Sequence, residues 1–432
     1  MKTPYAARIK KALALLARSN EKEALVISSN PHCTRSRDTH FPYRQNSDLY
    51  YFTGSHAEET TLVLNPHAKT PVILVTPPHD PIKKVWDGEQ VNLKPLAKQL
   101  SAELVVTKDP LKALLTSVRG AEKAYVQSIH GTASAALKTE LSQRSTVALR
   151  GLPTSLAEVE RFTARLRLYK DASEIELIRA ASEVTSDALF GVLPFVRNGT
   201  SEREIAAFIE GFYRATGSEP AFGTIVGTGK SAATLHYRAL KRKLRNGDLL
   251  LIDTGAERDM YASDVTRTLP VGDSIDPALR YLYETVLRAQ ERAIAKIKPG
   301  VLVSELHKTA AEELTYGLKE LGILKGKLSA LVTKGAYRPW FPHGIGHSLG
   351  IDVHDVGPAN GDRLERLEAG MVMTIEPGLY FSKPIGPLPA CGVRIEDDIL
   401  VTRTGHKVLT ESVFPKELDT VMGLLGSIAA GF

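Results

Sequence analysis

Cysteine is nearly missing from this chain. Its 432 residues include two, Cys33 and Cys391, and neither lies in a C-x-x-C or Cys/His cluster. That excludes a disulfide framework and a thiolate metal site, and it fits a reducing compartment. Long apolar runs are missing too: none approaches the ~20 residues that a membrane span needs. The first residues, MKTPYAARIKKALALLARSN, have a basic start and an Ala/Leu run. Arg18 breaks that run and no small-residue cleavage site follows, so the stretch reads as an amphipathic helix and not as a leader. Charge of one sign is not in large excess. A net charge of +6 and 24% charged residues permit weak attraction to polyanions without marking a nucleic-acid site. Low-complexity tracts and short repeats are also lacking. What these absences leave is a cytoplasmic globular protein with no membrane or nucleic-acid partner. At 43% hydrophobic it is long enough for a large buried core and roughly two to three domains.

What is present falls into two parts. In the first, the apolar runs at 24–28, 61–64, 72–76 and 104–107 stand next to Asn, Pro or Asp and predict buried strands. Residues 10–17 and 111–118 predict helices between them, which makes an α/β domain. The segment 41–54, FPYRQNSDLYYFTG, is dense in aromatic and hydrogen-bonding groups; it is costly to bury without partners and reads as a structural hydrogen-bonded corner. Trp86, in a loop at 85–88, reads as a core or interface side chain. Composition turns basic and polar at 161–171, so the domains are expected over 1–165 and 166–432. A capping box at 173–176 opens a helix striped by Leu177, Ala181, Val184 and Ala188. A second, at 201–204, opens one with Ile205, Phe208, Ile209 and Phe212 on one face. Asp276-Pro277 begins a third, ended by Lys298-Pro299-Gly300, and a fourth covers 304–321. Strands are predicted at 249–253, 265–269, 371–376 and 393–401. Helices mixed with hairpins argue α+β with a mostly antiparallel sheet. The last twenty residues read as a strand end, a short helix and a Gly-rich tail.

Histidines and carboxylates carry the chemistry. The stretch FPHGIGHSLGIDVHD at 341–355 holds His343, His347 and His354. Two histidines four apart suggest a metal site, but Gly344 stands where the HExxH pattern needs Glu, and Gly346 opposes a helix. The stretch therefore reads as a loop entering a strand, with partners from elsewhere. Asp253 ends the run LLLID. Asp264 lies in YASDVTRT, where a hairpin would bring it to Asp253. Glu376 ends MVMTIE, and Glu396 shares a predicted strand face with Arg394. Any one of these acids alone reads as solvated or salt-bridged, and Asp397 and Asp398 beside Glu396 carry no assigned role. Together, four carboxylates in apolar strands cannot be buried bare. Two divalent cations, about +4 against about −4, resolve the conflict. Oxygen-rich ligation completed by one imidazole, His347, suits Mn²⁺ better than a Cys/His zinc site. The string 223–231 ends in Gly-Lys-Ser, but Thr224 occupies a required glycine of the phosphate loop, which is excluded.

The motifs IVGTGKSAATLHY, LLLIDTGAERDMYASDVTRT, HGIGHSLGIDVHD, MTIEPGLY and GVRIEDDILVT resemble the pita-bread metallopeptidases, and within them the aminopeptidase P family. The resemblance spans 168–416 and extends to the N-terminal domain through RDTHFPYRQNSDLYYFTG. It implies a pita-bread catalytic domain over 166–432 behind a smaller aminopeptidase P-type α/β domain over 1–165. It implies two metal ions, Mn²⁺ first and Zn²⁺, Co²⁺ or Fe²⁺ as alternatives. The ligands it implies are Asp253, Asp264, His347, Glu376 and Glu396, with Asp264 and Glu396 bridging. The supporting residues it implies are His236, His343, His354 and Arg394. The implied reaction is hydrolysis of the bond between an N-terminal residue and a following proline, with Glu376 also carrying the proton. A homodimer or homotetramer is implied as well. A prolidase-like dipeptidase is the alternative inside the superfamily. A non-catalytic binding module is the alternative outside catalysis, and the intact ligand set counts against it. One stretch departs from the pattern: after Leu235-His236-Tyr237 the chain runs RALKRKLRNGD, where relatives usually show a small polar residue and an Asn. Residues 241–245 lack interleaved aromatics and read as a solvated hairpin tip, but the departure leaves substrate preference open.

Overall fold

Six strands of the first half form one sheet, whose central members are buried on both faces. The structure is a computed structural model that describes residues 4–127, 129, 131–143, 151–357 and 366–429. The chain divides into two compact units, Met1–Arg167 and Leu168–Phe432. In the first, six strands lie in the order Glu103–Val106, Val72–Thr76, Thr61–Leu64, Glu23–Ser28, Lys123–Val126, Ser155–Ala157. The central strand, Glu23–Ser28, is buried at every position. It pairs antiparallel with Thr61–Leu64 and parallel with Lys123–Val126. Strands covered on both faces read as continuous apolar runs, which is why these were legible.

The polar segment 41–54 is the expected hydrogen-bonded corner. Fully buried Gln45 donates through Nε2 to the carbonyls of Ser55 (3.2 Å) and Ala57 (2.8 Å). Asn46 caps the helix Ser47–Thr53 by accepting the Leu49 N–H at 2.9 Å. Trp86 lies in the helix Pro81–Asp87 and not in a loop, and at 81% exposure it is not a core side chain.

The second unit is built from short antiparallel pieces. Leu249–Thr254 pairs with Ile225–Thr228 on one side and Val265–Pro270 on the other. Alternation sorts its side chains. Leu250 and Ile252 join an apolar cluster with Ile205, Ile209 and Val265. Leu251 faces Ile225, Ala232 and Tyr380 instead, and Asp253 follows it on that face. Helices Pro277–Ile294 and Val303–Glu320 bury Leu282, Val286, Leu306 and Leu314 against Ile375, Val393, Ile395 and Ile399. Each such side chain contributes about 1.5–3 kcal/mol, so the sheet behind the site is firmly backed.

Three local expectations are corrected. The first helix of this unit, Ala172–Val192, is capped by Asp171 and not by Ser173. The box requires a three-residue spacing, Asp171 to Glu174, and the Ser173 hydroxyl itself donates to Asp171. The box at Ser201 and Glu204 forms as spaced. The expected strand 393–401 is two strands, Cys391–Arg394 and Asp397–Val401, in different sheets. Glu396 therefore does not share a strand face with Arg394. Its N–H donates to the Thr266 carbonyl (3.1 Å) and its carbonyl accepts from Arg267 (2.6 Å). The backbone is thus diverted onto a neighbouring strand. The expected short C-terminal helix is Leu418–Ala429; the tail beyond it lies outside the described residues. Among the described residues no helix is long and apolar enough to cross a membrane.

Candidate metal centre

The histidine loop is pinned to the strand Val372–Ile375 by its backbone. Glu376 N–H donates to the Ile345 carbonyl and Thr374 N–H to the His347 carbonyl, both at 2.8 Å. A Cβ at Gly346 would overlap the Thr374 carbonyl oxygen, so only glycine permits this approach. The His347 N–H then donates to the Thr374 hydroxyl (3.1 Å). Its ring Nδ1 donates to the Ser348 carbonyl (3.1 Å). That bond keeps a proton on Nδ1 and turns Nε2 toward the carboxylates, the arrangement of a metal-ligating histidine. Nε2 lies 3.3 Å from Asp264 and 3.7 Å from Glu376.

The carboxylates come from four separate segments. Asp253 accepts Arg394 Nη2 at 2.5 Å through Oδ2, while its Oδ1 is buried without a partner. Asp264 donates its N–H to Asp398 (3.2 Å), and its own Oδ1 is also a buried orphan. Glu396 accepts the Thr266 hydroxyl at 2.7 Å. Ligand atoms of Asp264, His347 and Glu396 lie within 4.8 Å of one another. Each orphaned oxygen costs about 1–3 kcal/mol if nothing compensates it. Burial, reinforced by the Asp253 charge, pushes Asp264 up to about 7 against the pull of His347. Burial and the Asp264 charge hold both Glu396 and Asp398 well above the usual carboxylate range. Unpartnered buried oxygens on Asp253 and Asp264, with carboxylates that resist ionising together around one imidazole, are the donor set that divalent cations satisfy.

The supporting side chains form a hydrogen-bonded chain beside the carboxylates. Arg394 Nη1 donates to the Tyr380 hydroxyl (3.0 Å), which reaches His343 Nε2 (2.9 Å); His343 Nδ1 donates to the Gly344 carbonyl (2.8 Å). Burial lowers the His343 pKa, and burial with the His347 charge lowers that of His354. The His354 ring lies 4.2 Å from that of His347. His236, His343 and His354 all line a cavity of about 650 Å³ whose floor holds Asp253, Asp264, Glu376 and Glu396. Sequence reasoning missed Tyr380, Asp398, and the cavity positions Arg238 and His307. Tyr380 stands inside the motif MTIEPGLY, but nothing in its spacing distinguishes it from a core tyrosine.

Metal removal has a signed consequence. Burial alone would lower His347, but Asp264 and Glu376 raise it from 6.5 to about 9. Asp264 rises from 3.8 to about 7. Both folded pKa values exceed the unfolded ones, so the metal-free folded state binds more protons than the unfolded chain. Asp264 loses this stabilisation as pH rises from 3.8 to about 7, and His347 as it rises from 6.5 to about 9. Metal ions compete with those protons. The expected result is that the gap in Tm between Mn²⁺-loaded and chelator-treated protein widens as pH rises from 5 to 8. A gap that narrows contradicts the site.

Comparison with known proteins extends over both units. A family model described as metallopeptidase family M24 matches residues 176–403, and one described as aminopeptidase P, N-terminal domain, matches residues 5–126. The chain is 34% identical over 427 residues to an Xaa-Pro aminopeptidase of Escherichia coli K12, covering 95% of this chain and 96% of that one. Among solved structures it is similar to aminopeptidase PepP of Pseudomonas aeruginosa, with a TM-score of 0.91, 33% identity, and coverage of 100% of this chain and 99% of that one. It is similar too to a variant of Escherichia coli aminopeptidase P in complex with substrate, with a TM-score of 0.89, 32% identity, and coverage of 98% and 99%.

Proposed function

The chain belongs to metallopeptidase family M24, with an aminopeptidase P N-terminal domain and metal-dependent Xaa-Pro aminopeptidase activity, and on that premise we propose how its residues divide the work. Asp253, Asp264, His347, Glu376 and Glu396 hold two divalent cations. Mn²⁺ is the first choice, before Zn²⁺, Co²⁺ or Fe²⁺, because the donor set is oxygen-rich with one imidazole. When bound, the cations supply positive charge that acidifies water and polarises the scissile carbonyl. The observation that carries the reading is that ligand atoms of Asp264, His347 and Glu396 lie within 4.8 Å of one another, with unpartnered buried oxygens on Asp253 and Asp264.

The protein's own groups then act around the peptide. Glu376 is partly open to the cavity, at 19% side-chain exposure. It accepts the proton of the attacking water and passes it to the departing proline nitrogen. His236 and His354 donate hydrogen bonds to the carbonyl oxygen as negative charge develops on it. His354 does so as a neutral ring, in keeping with its lowered pKa. His343 is held neutral by burial and borders the proline pocket. Arg394 fixes Asp253 and Tyr380 and so steadies the ligand set. The acidic floor receives the free N-terminal ammonium, which makes the enzyme an exopeptidase.

The catalytic domain is assigned to 166–432 and the N-terminal domain to 1–165. Family resemblance supports a homodimer or homotetramer. An exposed free thiol, Cys33, suits the reducing cytoplasm.

The test is direct. Metal-stripped protein is given an Xaa-Pro-Yaa tripeptide with and without added Mn²⁺. Release of the first amino acid only when metal is restored is the expected result. Cleavage of an Xaa-Pro dipeptide but not the tripeptide would make the enzyme a prolidase-like dipeptidase, and absence of bound metal with no cleavage would overturn the catalytic reading.

A further inference from the structure

The loop after His236 points a cation into the cavity that the catalytic scheme does not use. Leu235 and Tyr237 pack against Ile225, Ala232, Leu251 and Tyr380, whereas His236 and Arg238 line the cavity. Arg238 therefore follows His236 by two residues along the same cavity wall. The Arg238 guanidinium lies over Gly223: a Cβ there would sit 2.6 Å from its Nη1. Among the described residues its side chain has no ion pair and no hydrogen bond. The other arginine on the wall, Arg394, is committed to Asp253 and Tyr380.

We propose that Arg238 is a specificity-determining residue that binds the C-terminal carboxylate of a short peptide, Xaa-Pro-Yaa. The enzyme then prefers tripeptides with a free carboxylate over amidated or longer peptides. A planar guanidinium matches a carboxylate with two parallel N–H donors. His236 and Arg238 line the same cavity, so a peptide whose scissile carbonyl meets His236 can present a carboxylate one residue past the proline to Arg238. The inference rests on the Xaa-Pro aminopeptidase reading for the direction in which the peptide lies.

Two measurements on the Mn²⁺-loaded full-length protein test it. The first compares kcat/KM for Xaa-Pro-Yaa and its C-terminal amide in wild type, Arg238→Gln and Arg238→Lys. Wild type is expected to favour the acid about tenfold to a hundredfold, mainly through KM. Arg238→Gln is expected to bring the acid to the level of the amide, and Arg238→Lys to keep part of the preference. The second is calorimetric binding of Pro-Yaa and Pro-Yaa amide, which needs no turnover. Equal handling of acid and amide by wild type, or a preference that survives in Arg238→Gln, overturns the proposal. No turnover, with an acid preference in binding that is lost in Arg238→Gln, upholds the carboxylate site and sinks the peptidase reading instead. No turnover and no preference overturns both.

Discussion

Replacing Glu376 by Gln is expected to lower kcat/KM on an Xaa-Pro peptide by at least about a thousandfold. The substitution keeps the shape of the side chain and removes its ability to take a proton. Glu376 is the carboxylate best placed for that task. It follows directly on the strand Val372–Ile375, its N–H is held by the Ile345 carbonyl at 2.8 Å, and its carboxylate faces the cavity 3.7 Å from His347 Nε2. Asp253 and Glu396 are tied down by Arg394 and Thr266 and cannot move a proton between water and the leaving nitrogen. Steady-state kinetics with metal content measured on the same sample checks the prediction. A loss of rate with both metals retained assigns Glu376 to proton transfer, and a loss of metal assigns it to ligation. Activity within tenfold of wild type would remove it from the site.

Arg267→Met is expected to destabilise the catalytic unit by about 3–5 kcal/mol. Arg267 is 2% exposed, and each of its guanidinium nitrogens donates. Nε reaches the Phe414 carbonyl (2.7 Å), Nη1 the Thr266 (3.0 Å) and Glu396 (2.6 Å) carbonyls, and Nη2 the Asp397 carboxylate (2.8 Å). Asp397 also accepts from Lys416 (2.7 Å), Gln290 (2.8 Å) and Thr410 (2.9 Å). Burial alone would raise the Asp397 pKa, but the Arg267 and Lys416 charges outweigh it and hold the group down at about 2. A depressed carboxylate stabilises the fold above its unfolded value of 3.8, and that contribution is lost as pH falls toward 2. The penalty of Arg267→Met is therefore expected to be largest near neutral pH and to shrink below pH 4. Urea unfolding at pH 7 and pH 3.5 measures it. A penalty under about 1 kcal/mol at pH 7 would mean that the network is not what holds Glu396 in place. The same substitution frees the backbone carbonyl of a proposed ligand, so metal affinity should fall with stability.

Strand positions were legible where burial left a continuous record. The runs at 61–64 and 72–76 became strands with the same limits, because a strand covered on both faces is apolar at each position. The run at 393–401 misled for a related reason. It is apolar enough to be one strand, yet a hydrogen bond from the Thr266 hydroxyl to the Glu396 carboxylate, 130 residues away in the chain, accompanies a break between two sheets. No local pattern encodes a partner at that distance. Asp398 was equally silent: an acid beside another acid reads as solvated surface, and only the packed structure puts it under the Asp264 N–H.

The sequence by itself determined the chemistry on offer. It set out which segments carry carboxylates and histidines, that thiolates take no part, and that hairpins and helices build the catalytic half. Its motifs also carried the family resemblance. Only the tertiary structure decided that Asp264, His347 and Glu396 meet within 4.8 Å, that Tyr380 links Arg394 to His343, and that Arg238 reaches the cavity. The division has a physical cause. Hydrophobic periodicity is a local property, repeated over neighbouring residues and so written into the chain. A buried polar contact is a single pairing across long sequence separations, and its geometry exists only once the apolar layers around it have packed.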